Sequence, residues 1–316
     1  MARRAFAIQP LDILCPDTVL TGMPQRLSIA LALLALGAIW GLTPAMAKLA
    51  MAQGMKPLGV ATIAAVISAI TLLLVCVRSR DMPRWTRPHW VHYVSGGFIG
   101  LACANLFAFT GLMRAPAGLF ALLVPLSGLL STVFFAMAGI ERATPRIVAG
   151  TLLGVAGVAL AMAPGAALPD PALLPWAALM VLTPVCYAAS NLLSVKLAVP
   201  GSSPLAQAAG TLVGASGSVL LMALALGHLG PPPSLGIALL LLAQGVITAA
   251  AYLIYFRLLV SAGGMVTSQV SYLITLAGLI YGFLLFGEVP GWLTLPAAAL
   301  IFSGLALVTL SKRQPA

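Results

Sequence analysis

The sequence predicts an all-α polytopic membrane protein, with ten transmembrane helices arranged as two inverted five-helix repeats. Three observations predict it: scarce charge, apolar runs of membrane-crossing length, and a self-match at one fixed offset. Of 316 residues, 61% are hydrophobic and only 7% charged, and the mean hydropathy is +1.09. A water-soluble domain needs far more charge on its surface, whereas a lipid-facing one does not.

A bilayer crossing takes about 20 apolar residues. On that measure the first half reads as spans 27–49, 57–77, 91–113, 116–138 and 145–164. The second reads as 174–195, 204–226, 236–258, 265–286 and 292–311. Proline, glycine and charge punctuate the gaps, as in Arg78-Ser-Arg-Asp-Met-Pro-Arg-Trp-Thr-Arg87 and Gly230-Pro-Pro-Pro-Ser234. The repeats are thus expected at 27–164 and 174–311. Residues 1–26 read as an extension, either disordered or the product of a misassigned start with Met23 as the true one, because Asp12, Pro16 and Asp17 interrupt any signal-peptide core.

The net charge of +10 follows membrane topology and does not indicate nucleic acid, which is excluded as a partner. With the N-terminus in the cytoplasm, Arg3, Arg4, Arg26, Arg78, Arg80, Arg84, Arg87, Arg142, Arg146, Lys196, Arg257, Lys312 and Arg313 fall inside. Only Lys48, Lys56 and Arg114 fall outside. That bias places both termini in the cytoplasm of a cell (inner or plasma) membrane. Cys15, Cys76, Cys103 and Cys186 are scattered and form no CxxC or Cys/His cluster. No disulfide, metal site or cofactor is therefore expected. The chain contains no GxxxxGK[ST] loop, so ATP-driven transport by it alone is not expected.

Shifting the sequence on itself by 147 residues pairs Gly54 with Gly201, Pro57 with Pro204, Phe109 with Phe256, Glu141 with Glu288 and Gly157 with Gly304. Leucine pairs are cheap in such a chain, but these are not. Five spans is an odd number, so the second half enters the membrane upside down. Many secondary carriers use that arrangement for alternating access.

Ile39-Trp-Gly-Leu-Thr-Pro-Ala-Met-Ala-Lys48 in the first span, Gly139-Ile-Glu-Arg-Ala-Thr-Pro145 after the fourth and Phe286-Gly-Glu-Val-Pro290 after the ninth carry a family resemblance. From Leu27 to Lys312 the chain resembles EamA-type transporters of the drug/metabolite transporter superfamily. The resemblance implies a ten-helix carrier that exports amino acids or other metabolites. Two departures stand out. Gly128 and Thr275 replace a proline frequent thirteen residues before each Glu, and an arginine frequent in the second span is absent, which argues against an acidic or phosphorylated solute.

Polar side chains within the spans either bind helices together or line a pathway. Gln244, Thr248, Tyr252 and Tyr255 share one face of the eighth span, as do Thr183, Tyr187, Ser190, Asn191 and Ser194 in the sixth. The ninth carries Ser268, Ser271, Tyr272 and Thr275, with Gln269 off the main stripe. Trp40 is too deep for an interfacial belt, and Asn105 lies mid-span with Phe98 and Phe109 on a similar face. Trp40, Asn105, Tyr187, Asn191, Tyr252, Gln269, Tyr272 and Thr275 are the candidate substrate-binding residues. Each has the alternative of simple packing. Their aromatic and amide character suits a neutral or zwitterionic ligand with an apolar side chain. Lys48 reads first as a snorkelling side chain, with a gating role as the alternative. Glu141 and Glu288 read as caps of helix junctions. The glycine stripes Gly150, Gly154, Gly157 and Gly210, Gly214, Gly217 serve packing within the chain or a homodimer. The expected partners are a small-molecule substrate and the lipid bilayer. An enzyme would need a nucleophile, metal or paired acids at membrane depth, and no catalytic residue is assigned. A membrane-embedded enzyme and a non-transporting scaffold remain the alternatives, and within transporters a drug or vitamin carrier or an importer.

Overall fold

Inside a bilayer the backbone has no water to bond, so a chain this apolar closes its hydrogen bonds within helices. The computed structural model describes residues 25–140, 144–163, 166–168, 170–197, 199, 201–262, 267 and 270–311. Among them, seven helices are long and apolar enough to cross a membrane: α1 Gln25–Ala52, α2 Pro57–Ser79, α3 Arg87–Leu112, α4 Ala117–Met137, α6 Pro171–Lys196, α7 Pro204–Ala225 and α8 Leu235–Ser261. Shorter apolar helices are α5 Pro145–Ala161, α9 Val270–Phe286 and α10 Thr294–Ser311. Of the 1–26 extension, only Gln25 and Arg26 are described, and they open α1.

Local sequence explains where helices start. Pro57, Pro145 and Pro204 occupy first turns, where a missing N–H costs nothing. The Thr144, Ser203 and Ser234 hydroxyls accept from Ile147, Ala206 and Ile237 N–H groups at 3.3, 3.0 and 3.3 Å. Interruptions are equally specific. Pro44 lies inside α1 and Pro184 inside α6. Lacking N–H groups, they leave the Trp40 and Met180 carbonyls without their helical donors. In α3, residues Phe98–Cys103 form a π-helical turn.

The backbone repeats as the sequence does. Residues with left-handed φ come in pairs: Gly54 (93°) with Gly201 (84°), and Arg80 (54°) with Gly227 (63°), each 147 apart. Gly139 (70°) and Gly287 (63°) form a third pair, offset by one further residue. Helix packing obeys the same exchange of halves. α1 against α9 mirrors α6 against α4, α3 against α7 mirrors α8 against α2, and α3 against α6 mirrors α8 against α1. Three equivalents pack directly on each other: α2 on α7, α4 on α9 and α5 on α10.

Those direct pairs are antiparallel. At one end Lys56, before α2, donates to the Gly227 carbonyl after α7 at 2.8 Å. At the other, Ser203, before α7, donates to Asp81 after α2. Gly150 of α5 abuts Gly304 and Val308 of α10, while Gly157 abuts Ala297 and Ile301. Equivalent helices running in opposite directions make the repeat inverted. The glycine stripes are used within the chain: Gly210 and Gly214 accommodate Tyr93, which is fully buried, and Gly217 faces open space.

Candidate functional site

Trp40 of α1 meets two rings of α8. Its indole stands edge-on to Tyr252 with centroids 6.3 Å apart and tilted against Tyr255 at 5.3 Å. Tyr255 in turn contacts Phe256 at 5.4 Å. Tyr187 of α6 lies within electrostatic reach of Tyr252. The cluster therefore draws on α1, α6 and α8, from both halves. Trp40, Asn105, Tyr187, Tyr252 and Tyr255 are all half-buried. Among the described residues, none of their side-chain polar atoms has a hydrogen-bond partner. Half-buried and unengaged, the three phenols and the Trp40 indole amount to unused bonding capacity, and the Asn105 amide in the middle of α3 is likewise unengaged.

Other candidates are engaged elsewhere. Asn191 is exposed and donates to Ser131 of α4 at 2.9 Å. The Tyr272 ring stacks edge-on to Phe302 of α10 at 4.9 Å, and its hydroxyl reaches the Phe302 carbonyl at 3.4 Å. Thr275 is fully buried, its hydroxyl shared between the Ala121 and Ser271 carbonyls at 2.9 and 3.0 Å. The structure thus places Tyr272 and Thr275 in helix junctions. Gln269 and Ser268 lie outside the described residues. Phe109 belongs to the core, 3% exposed, whereas Phe98 is 45% exposed.

Charge collects at the ends of α1, α4 and α9. The Lys48 ammonium stands 2.6 Å from Glu288 Oε1 and 3.1 Å from the Ala115 carbonyl, above the Phe286 ring. The same carboxylate accepts the Ala117 and Gly118 N–H groups at 2.8 and 2.9 Å, capping the start of α4. Glu288 is therefore a cap, and Lys48 is held in an ion pair; it does not snorkel freely. Glu141 lies outside the described residues. Beside Glu288 a cavity of about 420 Å³ opens between Pro116, Leu119, Ala166, Phe286 and Pro290. A second, of about 250 Å³, lies between Gln53, Lys56 and His228. There burial, then the Lys56 ammonium, hold His228 below the ordinary imidazole pKa. Neither cavity reaches the aromatic cluster.

Sequence reasoning left Tyr255 off the candidate list although it shares the Tyr252 stripe, and it did not pair Lys48 with Glu288. With only six acids in the chain, acid scarcity was the available signal for that pair.

Comparison with known proteins agrees with this architecture. Eighteen chains of solved structures match. One, described only as "Crystal structure of protein", has a TM-score of 0.60 at 24% identity, covering 92% of this chain and 100% of the other. A search of curated proteins returned no match. The model of the EamA-like transporter family matches residues 27–163 and again 174–310. Each of the two halves matches the family on its own, and together they cover most of the sequence: the chain belongs to the EamA-like transporter family of the drug/metabolite transporter superfamily.

Proposed function

We propose that the protein is a secondary, non-ATP-driven carrier of ten membrane spans, moving small amphipathic metabolites such as amino acids outward across the cell membrane. Both termini lie in the cytoplasm on this reading. The observation that carries it is the cluster of Trp40, Tyr187, Tyr252 and Tyr255 between the halves, whose side-chain polar atoms no described residue engages. Aromatic faces hold an apolar side chain. Phenols, the indole and Asn105 bond neutral or zwitterionic head groups without a fixed charge. All six acids lie outside the helices α1 to α10 as described, or beyond the described residues, which supports transport over enzymatic chemistry. Substrate counterflow in proteoliposomes, screened against amino acids, vitamins and cationic drugs, tests the reading. Accelerated exchange of a neutral amphipathic solute, lost in Tyr252→Ala, is expected. No exchange for any class by a well-folded protein would overturn it.

A further inference from the structure

α1 and α6 are repeat equivalents, yet their final turns differ. No residue from Leu36 to Met51 is exposed, whereas Asn191, Ser194, Val195 and Lys196 are. In an inverted repeat, equivalent ends lie at opposite membrane faces, so one face is closed by packing around its helix end up to Met51 and the other is not. The closed face is the one held by Lys48 and Glu288. Val195 stands at the repeat position of Lys48, so the pair has no copy there.

Level with this pair and one turn below it, α8 carries a polar stretch with no bonding partner among the described residues. α8 enters from the same face, because α7 ends at Gly227 against Lys56, just beyond α1. Steps of four residues put Thr248 and Gln244 about 6 and 12 Å nearer that face than Tyr252, on the same side of the helix. Gln244 is 1% exposed. Its Oε1 and the Thr248 hydroxyl are buried without partners. Orphaned polar atoms in an apolar interior oppose closure, and the ion pair with its caps offsets them. The two states then balance, as alternating access requires.

We infer that Lys48 and Glu288 latch this face shut, and that Gln244, level with the latch, and Thr248, one turn below it, are the stretch of the solute track that the latch occludes. Gln244 Oε1 takes an N–H or O–H of the passing solute, and the Thr248 hydroxyl takes either a donor or an acceptor. The solute is accordingly a small organic molecule bearing a hydroxyl, amide or amine. This assignment rests on the carrier reading, but its test needs no substrate. In a cysteine-free protein in detergent, Gln244→Cys is labelled with a sulfonated maleimide, with Thr248→Cys as the second position. Labelling is slow while the latch is intact. Breaking it with Lys48→Met, or independently with Glu288→Gln, raises the rate about tenfold by populating the open face, and Lys48→Arg restores slow labelling. Equal rates with and without the latch would overturn the assignment, as would fast labelling in the parent. A failed flux screen alongside latch-dependent labelling would count against the carrier reading and leave the gate standing.

Discussion

Tyr252 and Thr275 both lie on polar stripes, and spacing alone treats them alike. The difference is in what their hydroxyls touch. Thr275 is committed to the Ala121 and Ser271 carbonyls, while the Tyr252 hydroxyl has no partner among the described residues. No sequence pattern encodes that, because the partner carbonyl arrives from a helix 154 residues away. Thr275→Val should cost about 1–2 kcal/mol by stranding a buried carbonyl, seen as a lower thermal midpoint in detergent, with flux per folded molecule unchanged. Tyr252→Phe should leave stability within about 0.5 kcal/mol and cut flux several-fold. The reverse pattern would return Tyr252 to packing and give Thr275 a place in the pathway. Arg80 supplies a separate test. It holds φ 54° where its repeat mate is Gly227, and a left-handed non-glycine residue costs about 1 kcal/mol. Arg80→Gly should therefore raise the midpoint, by less than that full amount because glycine gains unfolded-state entropy. A lowered midpoint would show that the arginine side chain stabilises more than its backbone costs.

At the scale of elements, helix existence was legible and helix faces were only partly so. Apolar length and punctuation by Pro57, Pro145 and Pro204 located the segments. The face of α3 was not legible, because seven residues between Phe98 and Asn105 close two α-turns only if the period stays near 3.6. The π turn at Phe98–Cys103 changes that period. Phe98 consequently points outward, while Phe109 enters the core. The glycine stripes were visible as small faces, but their partners were not. Gly304 and Gly150 bring α10 and α5 so close that a Cβ at Gly304 would meet the Gly150 carbonyl and lie 2.8 Å from the Gly154 nitrogen. Gly304→Val should destabilise by about 3 kcal/mol, at the upper end of overpacking costs because backbone cannot yield as side chains do. The yield of monodisperse protein and its thermal midpoint measure this. Gly217→Ala, facing open space, should change neither.

At the scale of the whole molecule, the inverted repeat was readable from one offset, because duplication constrains every Pro, Gly and Glu together. The closed and open faces were not readable. They arise from unequal packing of equivalent ends, and sequence equivalence is blind to state. The same global view bears on how transport is driven. Proton coupling needs a titratable group that alternates between the faces, commonly a buried acid or histidine. None of the described helices carries an acid. Of the three histidines, His89 is buried between Thr86 and Ser202 at the start of α3, His92 lies one turn further along at the same end of α3, and His228 lies in a loop. Glu288 is held by an ammonium and two backbone N–H groups, so both its oxygens are committed to the junction of α1 and α4. Transport should therefore follow the solute's own gradient, or run as exchange. With the membrane potential clamped, an imposed pH gradient should drive no uphill accumulation into proteoliposomes. Accumulation would refute this. If it then vanished in Lys48→Met but persisted in Lys48→Arg, the latch would also be the proton-coupled element.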